Sequence, residues 1–88
     1  MDEVWAGTTL YAFDGRVLEV FGFPGSESMR FHVLNLRIEV DEPDRKGRRW
    51  LRVRPLHGSG GMMVEVQAEE WPALGPFLDR VGTAIAAQ

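Results

Sequence analysis

The chain has no cysteine. That excludes disulfides, thiolate metal ligands and cysteine nucleophiles, and it suits a reducing compartment. Histidine is almost as scarce. His32 and His57 are the only two. Neither stands in a His-x-x-His or His-Glu-x-x-His spacing, so both read as structural and no metal centre is expected. No stretch approaches the roughly 20 apolar residues that cross a bilayer. The start, Met1-Asp2-Glu3, is acidic and lacks the basic-then-apolar layout of a secretory signal. Cytoplasmic residence is the expectation. Lysine is confined to Lys46 against nine arginines, which, beside abundant Gly, Ala and Val, reads as GC-rich bacterial coding.

What is present suffices for one domain over residues 1–88. A chain of this size buries roughly 60–65% of its unfolded surface. Its 44% hydrophobic residues, with three Trp and five Phe, supply a single core. The net charge of −3 opposes the field of a dedicated nucleic-acid binder, so no nucleic acid is expected as a partner.

The patterning is β-rich. Asp14-Gly15 between two apolar-rich runs is a two-residue hairpin signal. It sets Phe13 opposite Arg16, Tyr11 opposite Leu18 and Thr9 opposite Val20, with Tyr11, Phe13, Leu18 and Val20 on the core face. The other face, Leu10, Val17, Glu19 and Phe21, is only partly polar. A turn over Gly22–Ser28 precedes a short strand at Met29–Val33, kinked near Asn35. Leu36, Ile38 and Val40 alternate with Arg37, Glu39 and Asp41, the mark of a half-buried strand. Its partner is Arg48–Pro55. With Ile38 opposite Val53, Val40 meets Leu51 inside, while Glu39 meets Arg52 and Asp41 meets Trp50 outside. One register satisfies both faces. After a turn at His57–Gly61, Met62, Val64 and Val66 form the last strand. From Trp71 the period changes to steps of three and four through Leu74, Leu78, Val81 and Ile85, an amphipathic stripe. Pro72 suits a first helical turn, but Pro76 lacks an N–H and pushes Gly75 out of the α region. The spacing therefore predicts a short turn at 70–74 and a helix from about Pro76 to Ala86.

About six to seven hairpin-linked strands followed by one C-terminal helix resemble the pleckstrin-homology-like superfold, especially the small bacterial PH-like and GRAM-like domains. The likeness is carried by the Thr9–Leu18 hairpin, the Leu36–Val40/Leu51–Val53 hairpin and the terminal helix. It implies a mainly β fold, an antiparallel barrel or sandwich capped by the helix. It also implies a scaffold that binds proteins, peptides or lipid headgroups.

Catalysis finds no footing. Ser26, Ser28 and Ser59 read as residues of Gly-rich turns, outside any Gly-x-Ser-x-Gly elbow. Gly58-Ser59-Gly60-Gly61 lacks the lysine and the helix that follow a phosphate loop. Glu39, Asp41, Glu42 and Asp44 stand beside Arg45, Lys46, Arg48, Arg49 and Arg52, where cross-strand and loop ion pairs account for them. No enzymatic activity and no cofactor are expected.

The sharpest feature is basic and aromatic. Arg48, Trp50, Arg52 and Arg54 fall on one strand face, offering guanidinium forks and a stacking surface of the kind found at interface hot spots. In the register above, Arg48 and Arg54 meet no acid. This face is the candidate site for a protein or peptide partner, a homo-oligomer included. The small-residue edge Gly82, Thr83, Ala86 and Ala87 suits close packing with a second copy. The alternative site is the loop Arg45, Lys46, Arg48 and Arg49, which would take phosphorylated ligands or acidic lipid headgroups through peripheral membrane contact. Acids directly precede that loop, which weakens it. A small inhibitor or immunity-type protein is a further reading of the same composition.

Overall fold

A computed structural model describes residues 1–22 and 28–88, so the expected turn residue Ser26 lies outside the described residues. Alternating sequence becomes two antiparallel sheets. β1 (Asp2–Ala6), β2 (Thr9–Phe13), β3 (Val17–Phe21) and β4 (Ser28–His32) form the first in chain order. β5 (Arg37–Val40), β6 (Arg49–Arg54) and β7 (Met62–Val66) form the second, and α1 (Trp71–Ala86) follows. Seven strands and one C-terminal helix match the expected architecture.

The inner faces of both sheets meet α1. Tyr11, Phe13, Leu18, Val20 and Phe31 come from the first sheet and Leu51, Val53, Met62 and Val66 from the second. Leu74, Phe77, Leu78 and Val81 of α1 pack into the same cluster. The helix lies along β1, where Arg80 donates Nε to Asp2 Oδ2 at 2.5 Å and Nη2 to Oδ1 at 3.1 Å.

The β5–β6 register is the expected one, Ile38 opposite Val53, Glu39 opposite Arg52 and Val40 opposite Leu51. Asp41 N donates to Trp50 O at 3.0 Å and extends it. Elsewhere the structure departs from the sequence reading for identifiable reasons. β1 was not expected. It pairs in register with β2, turning Val4 and Ala6 toward the core and Trp5 outward.

The β2–β3 hairpin is shifted by two residues, Phe13 facing Leu18 and Tyr11 facing Val20. Asp14 is the cause. Its Oδ1 accepts from Arg16 N and Val17 N, both at 2.8 Å, which widens the loop to 14–17. A shift of two preserves the faces, so the core residues stay as read. The bonds from Val17 and Arg16 also hold the Asp14 carboxyl below the usual carboxylate range. Ser28 opens β4 opposite Phe21 and does not stand in a turn.

The helix runs unbroken from Trp71 through Pro76. Proline there withdraws one i→i−4 bond, the one to the Pro72 carbonyl. Both prolines are exposed, so water can satisfy that oxygen. Burying Leu74 and Phe77 outweighs the loss. Gly75 has a separate role, since a Cβ there would come within 2.9 Å of the Trp71 ring. Glycine lets the indole lie flat on the helix.

Tyr11 is the only tyrosine. Its ring is tilted at 56° to Phe77 with centroids 6.4 Å apart. Burial, then the charge of Glu70, push its phenol from 10.0 up to about 12. A raised folded pKa makes this contribution to stability complete below pH 10, and it is lost as pH rises toward 12. Phenolate absorbance and far-UV dichroism followed together should therefore change in step, well above pH 10. Phenolate forming near pH 10 with the fold intact would show the ring open to solvent.

Candidate interaction surface

Alternation along β6 turns Leu51 and Val53 inward, both 0% exposed, and Trp50, Arg52 and Arg54 outward. Trp50 is 42% exposed, and Met63 of β7, opposite Arg52, is 53% exposed. Trp50 and Met63 are thus diagonal neighbours on one face, within side-chain reach. Met63 stands on the outer side of β7 by the same alternation that turns Met62 inward.

The arginines of this face are engaged. Arg52 Nη1 lies 2.7 Å from Asp41 Oδ1, and Arg54 Nη2 bonds the Glu39 carboxylate. Each pair runs diagonally, one step past the residue directly opposite, because the long side chain spans the sheet's twist. The bond from Arg54 holds the Glu39 carboxyl below its ordinary range. The bond from Asp41 raises Arg52 further. The expectation that Arg54 meets no acid is therefore corrected.

Arg48 is corrected likewise. It precedes β6 and folds back, donating its backbone N and its Nε to Asp44, each at 2.9 Å. Asp44 also accepts from Lys46 N at 2.8 Å, and the Arg48 backbone bond leads the causes that lower its pKa. Of the four residues proposed from sequence, the structure brings Trp50, Arg52 and Arg54 together on the sheet and leaves Arg48 in the loop.

The alternative loop site does not converge. Arg48 is held by Asp44. Arg49 turns to the helix side, its guanidinium 4.4 Å from the centre of the Trp71 ring, with Nε buried and without a hydrogen-bond partner among the described residues. Arg45 and Lys46 are exposed and form no ion pair among the described residues.

Two further groupings were not legible in sequence. Ser28, His32 and Ser59 line one cleft of about 430 Å³ between β4 and the β6–β7 loop, together with Asn35 and Pro55. Among the described residues no carboxylate lines it. His32 Nδ1 accepts from Leu34 N at 3.1 Å and caps the 3₁₀ turn Val33–Asn35. Asn35 in turn exchanges two bonds with the His57 backbone, at 2.8 and 3.3 Å. On the outer face of the first sheet, Trp5 (64% exposed) stands opposite Leu10, and Leu10 opposite Phe21. Leu10 and Phe21 were placed there from sequence, and Trp5 completes the row only because β1 forms.

No protein-family model, curated protein or solved structure matches the chain.

Proposed function

We propose that this is a non-catalytic module that binds another protein or a peptide, with Trp50 and Met63 at the centre of the contact. The observation that carries this reading is the pair's setting. An exposed indole and a thioether hold diagonal positions on one sheet face, 42% and 53% exposed, among arginines already neutralised by Asp41 and Glu39. An apolar centre inside a polar rim is the anatomy of a protein interface. Pairing also pins the guanidiniums, so little side-chain freedom is lost on docking. A phosphorylated ligand or an anionic headgroup would have to bind at the loop, where Arg48 is held by Asp44 and Arg49 turns to Trp71, which leaves Arg45 and Lys46 and makes that reading the weaker one. The four-plus-three strand arrangement with its helix supports the resemblance to PH-like domains, a scaffold suited to such contacts.

The test is affinity capture with the native chain and a Trp50→Ala/Met63→Ala variant. Both side chains face solvent, so the variant should melt close to native. Losing a hot-spot pair removes about 2 kcal/mol or more, roughly a 30-fold loss of affinity. A partner held equally well by both chains would move the contact off this face. Salt-sensitive binding to acidic vesicles, abolished by Arg45→Glu/Lys46→Glu, would favour the headgroup reading instead.

A further inference from the structure

β5 is an edge strand whose only ladder partner among the described residues is β6. Asp41 turns its N–H to Trp50 of β6. By alternation, Ile38 and Val40 therefore direct their N–H and C=O groups away from the sheet. No backbone bond from another segment reaches that edge among the described residues. An uncovered edge is a template for another strand. Beside it, between β5 and α1, runs a groove of about 650 Å³. It continues into a second of about 370 Å³, and the two share Ile38, Gly82 and Ala86. Leu56 (50% exposed) lies in the groove's far end and Val40 (37%) at its near end.

The charges along the edge identify the occupant. Arg37, at one end, forms no ion pair among the described residues, while Glu39, Asp41 and Glu42 follow it. Reversed end to end, this strand complements itself. We propose that a second copy of the chain docks here, β5 against β5 about a two-fold axis, and joins the two three-stranded sheets into one.

The register follows from pairing rules. With Ile38 on the axis, Arg37 stands opposite the partner's Glu39, twice over, and the two Ile38 residues exchange their outward backbone bonds. A one-residue slip would set core-facing side chains against solvent-facing ones. A two-residue slip would put Glu39 on the axis, with two carboxylates face to face. Such an interface is isologous and closes at two subunits. Gly82 and Ala86 keep α1 narrow where the partner's strand enters. The Trp50–Met63 centre lies on the sheet's outer face, so the two proposals fail separately.

Sedimentation equilibrium tests it, at about 100 μM protein, as suits a contact at the small end of the interface range. The native mass should rise from 9.9 kDa toward twice that value with concentration. Arg37→Glu and Glu39→Arg should each be monomeric, and their equimolar mixture should recover the dimer through swapped charges. Glu39→Arg also removes the partner of Arg54, so Val40→Pro serves as a second variant. It deletes only an outward N–H and should be a folded monomer. A native chain that stays monomeric, an Arg37→Glu or Val40→Pro chain that still dimerises, or a mixture of folded variants that does not pair would overturn the proposal.

Discussion

Replacing Phe77 by alanine should remove about 3–5 kcal/mol of stability. The ring is fully buried, 0% exposed, and it contacts Tyr11 of β2 from the middle of α1. Arg80, which also bonds Asp2 of β1, lies over the ring at 5.8 Å from its centre. One side chain thus joins helix and first sheet. A domain of this length holds roughly 4–13 kcal/mol in total, at about 0.05–0.15 kcal/mol per residue. The variant should melt at least about 12 °C lower, read by thermal dichroism. Trp5→Ala is the matched control. Its indole is 64% exposed, and its removal should change stability by no more than about 0.5 kcal/mol. A Phe77→Ala chain within about 1 kcal/mol of native would mean that α1 does not close this core.

The second large effect is expected at Gly61, where the β6–β7 loop enters β7. Its φ is +111°, and an added Cβ would meet Val53 O at 2.6 Å and Arg54 Cα at 3.2 Å. Both contacts are backbone atoms of β6 and cannot swing aside. Gly60, with φ of +103°, has nothing among the described residues within 4 Å. Gly60→Ala should therefore show conformational strain alone, about 1–3 kcal/mol. Gly61→Ala should show the same strain plus a clash at the β6–β7 junction, and melt clearly below it. Urea midpoints of the two variants separate the terms. Equal midpoints would show that the junction relaxes freely.

The parts of this architecture legible in sequence are those where one residue pattern answers to one physical demand. Ile38, Val40, Leu51 and Val53 must all face inward, and only one register of that hairpin allows it. The Asp14-Gly15 turn was located but its length was not, because an Asp side chain bonding two backbone N–H groups competes with the two-residue turn. β1 carries only Val4 and Ala6 inward, too little apolar signal to register, and it is held largely by β2 and α1. Phe77 was not in the expected stripe because the stripe was drawn through Leu74 and Leu78 on either side of it. Pro76 disfavours a helix by local propensity, and the burial of Leu74 and Phe77 beside it overrides that preference. At the candidate surface, the outward placement of Trp50, Arg52 and Arg54 was legible. Their acidic partners were not, because twist brings the diagonal residues Asp41 and Glu39 within reach of the long arginine side chains.

The bond between Asp2 and Arg80 spans 78 residues, so it cannot form until the helix has been made. β1 is synthesised before β2–β7, and the helix it packs against after them. Hairpins can form as they emerge, yet Tyr11, Leu18, Leu51 and Val53 have no helix to bury them until residues 71–86 are free. Packing of the interior therefore waits for translation to pass α1, and until then both sheets present apolar faces to whatever holds nascent chains in the cell.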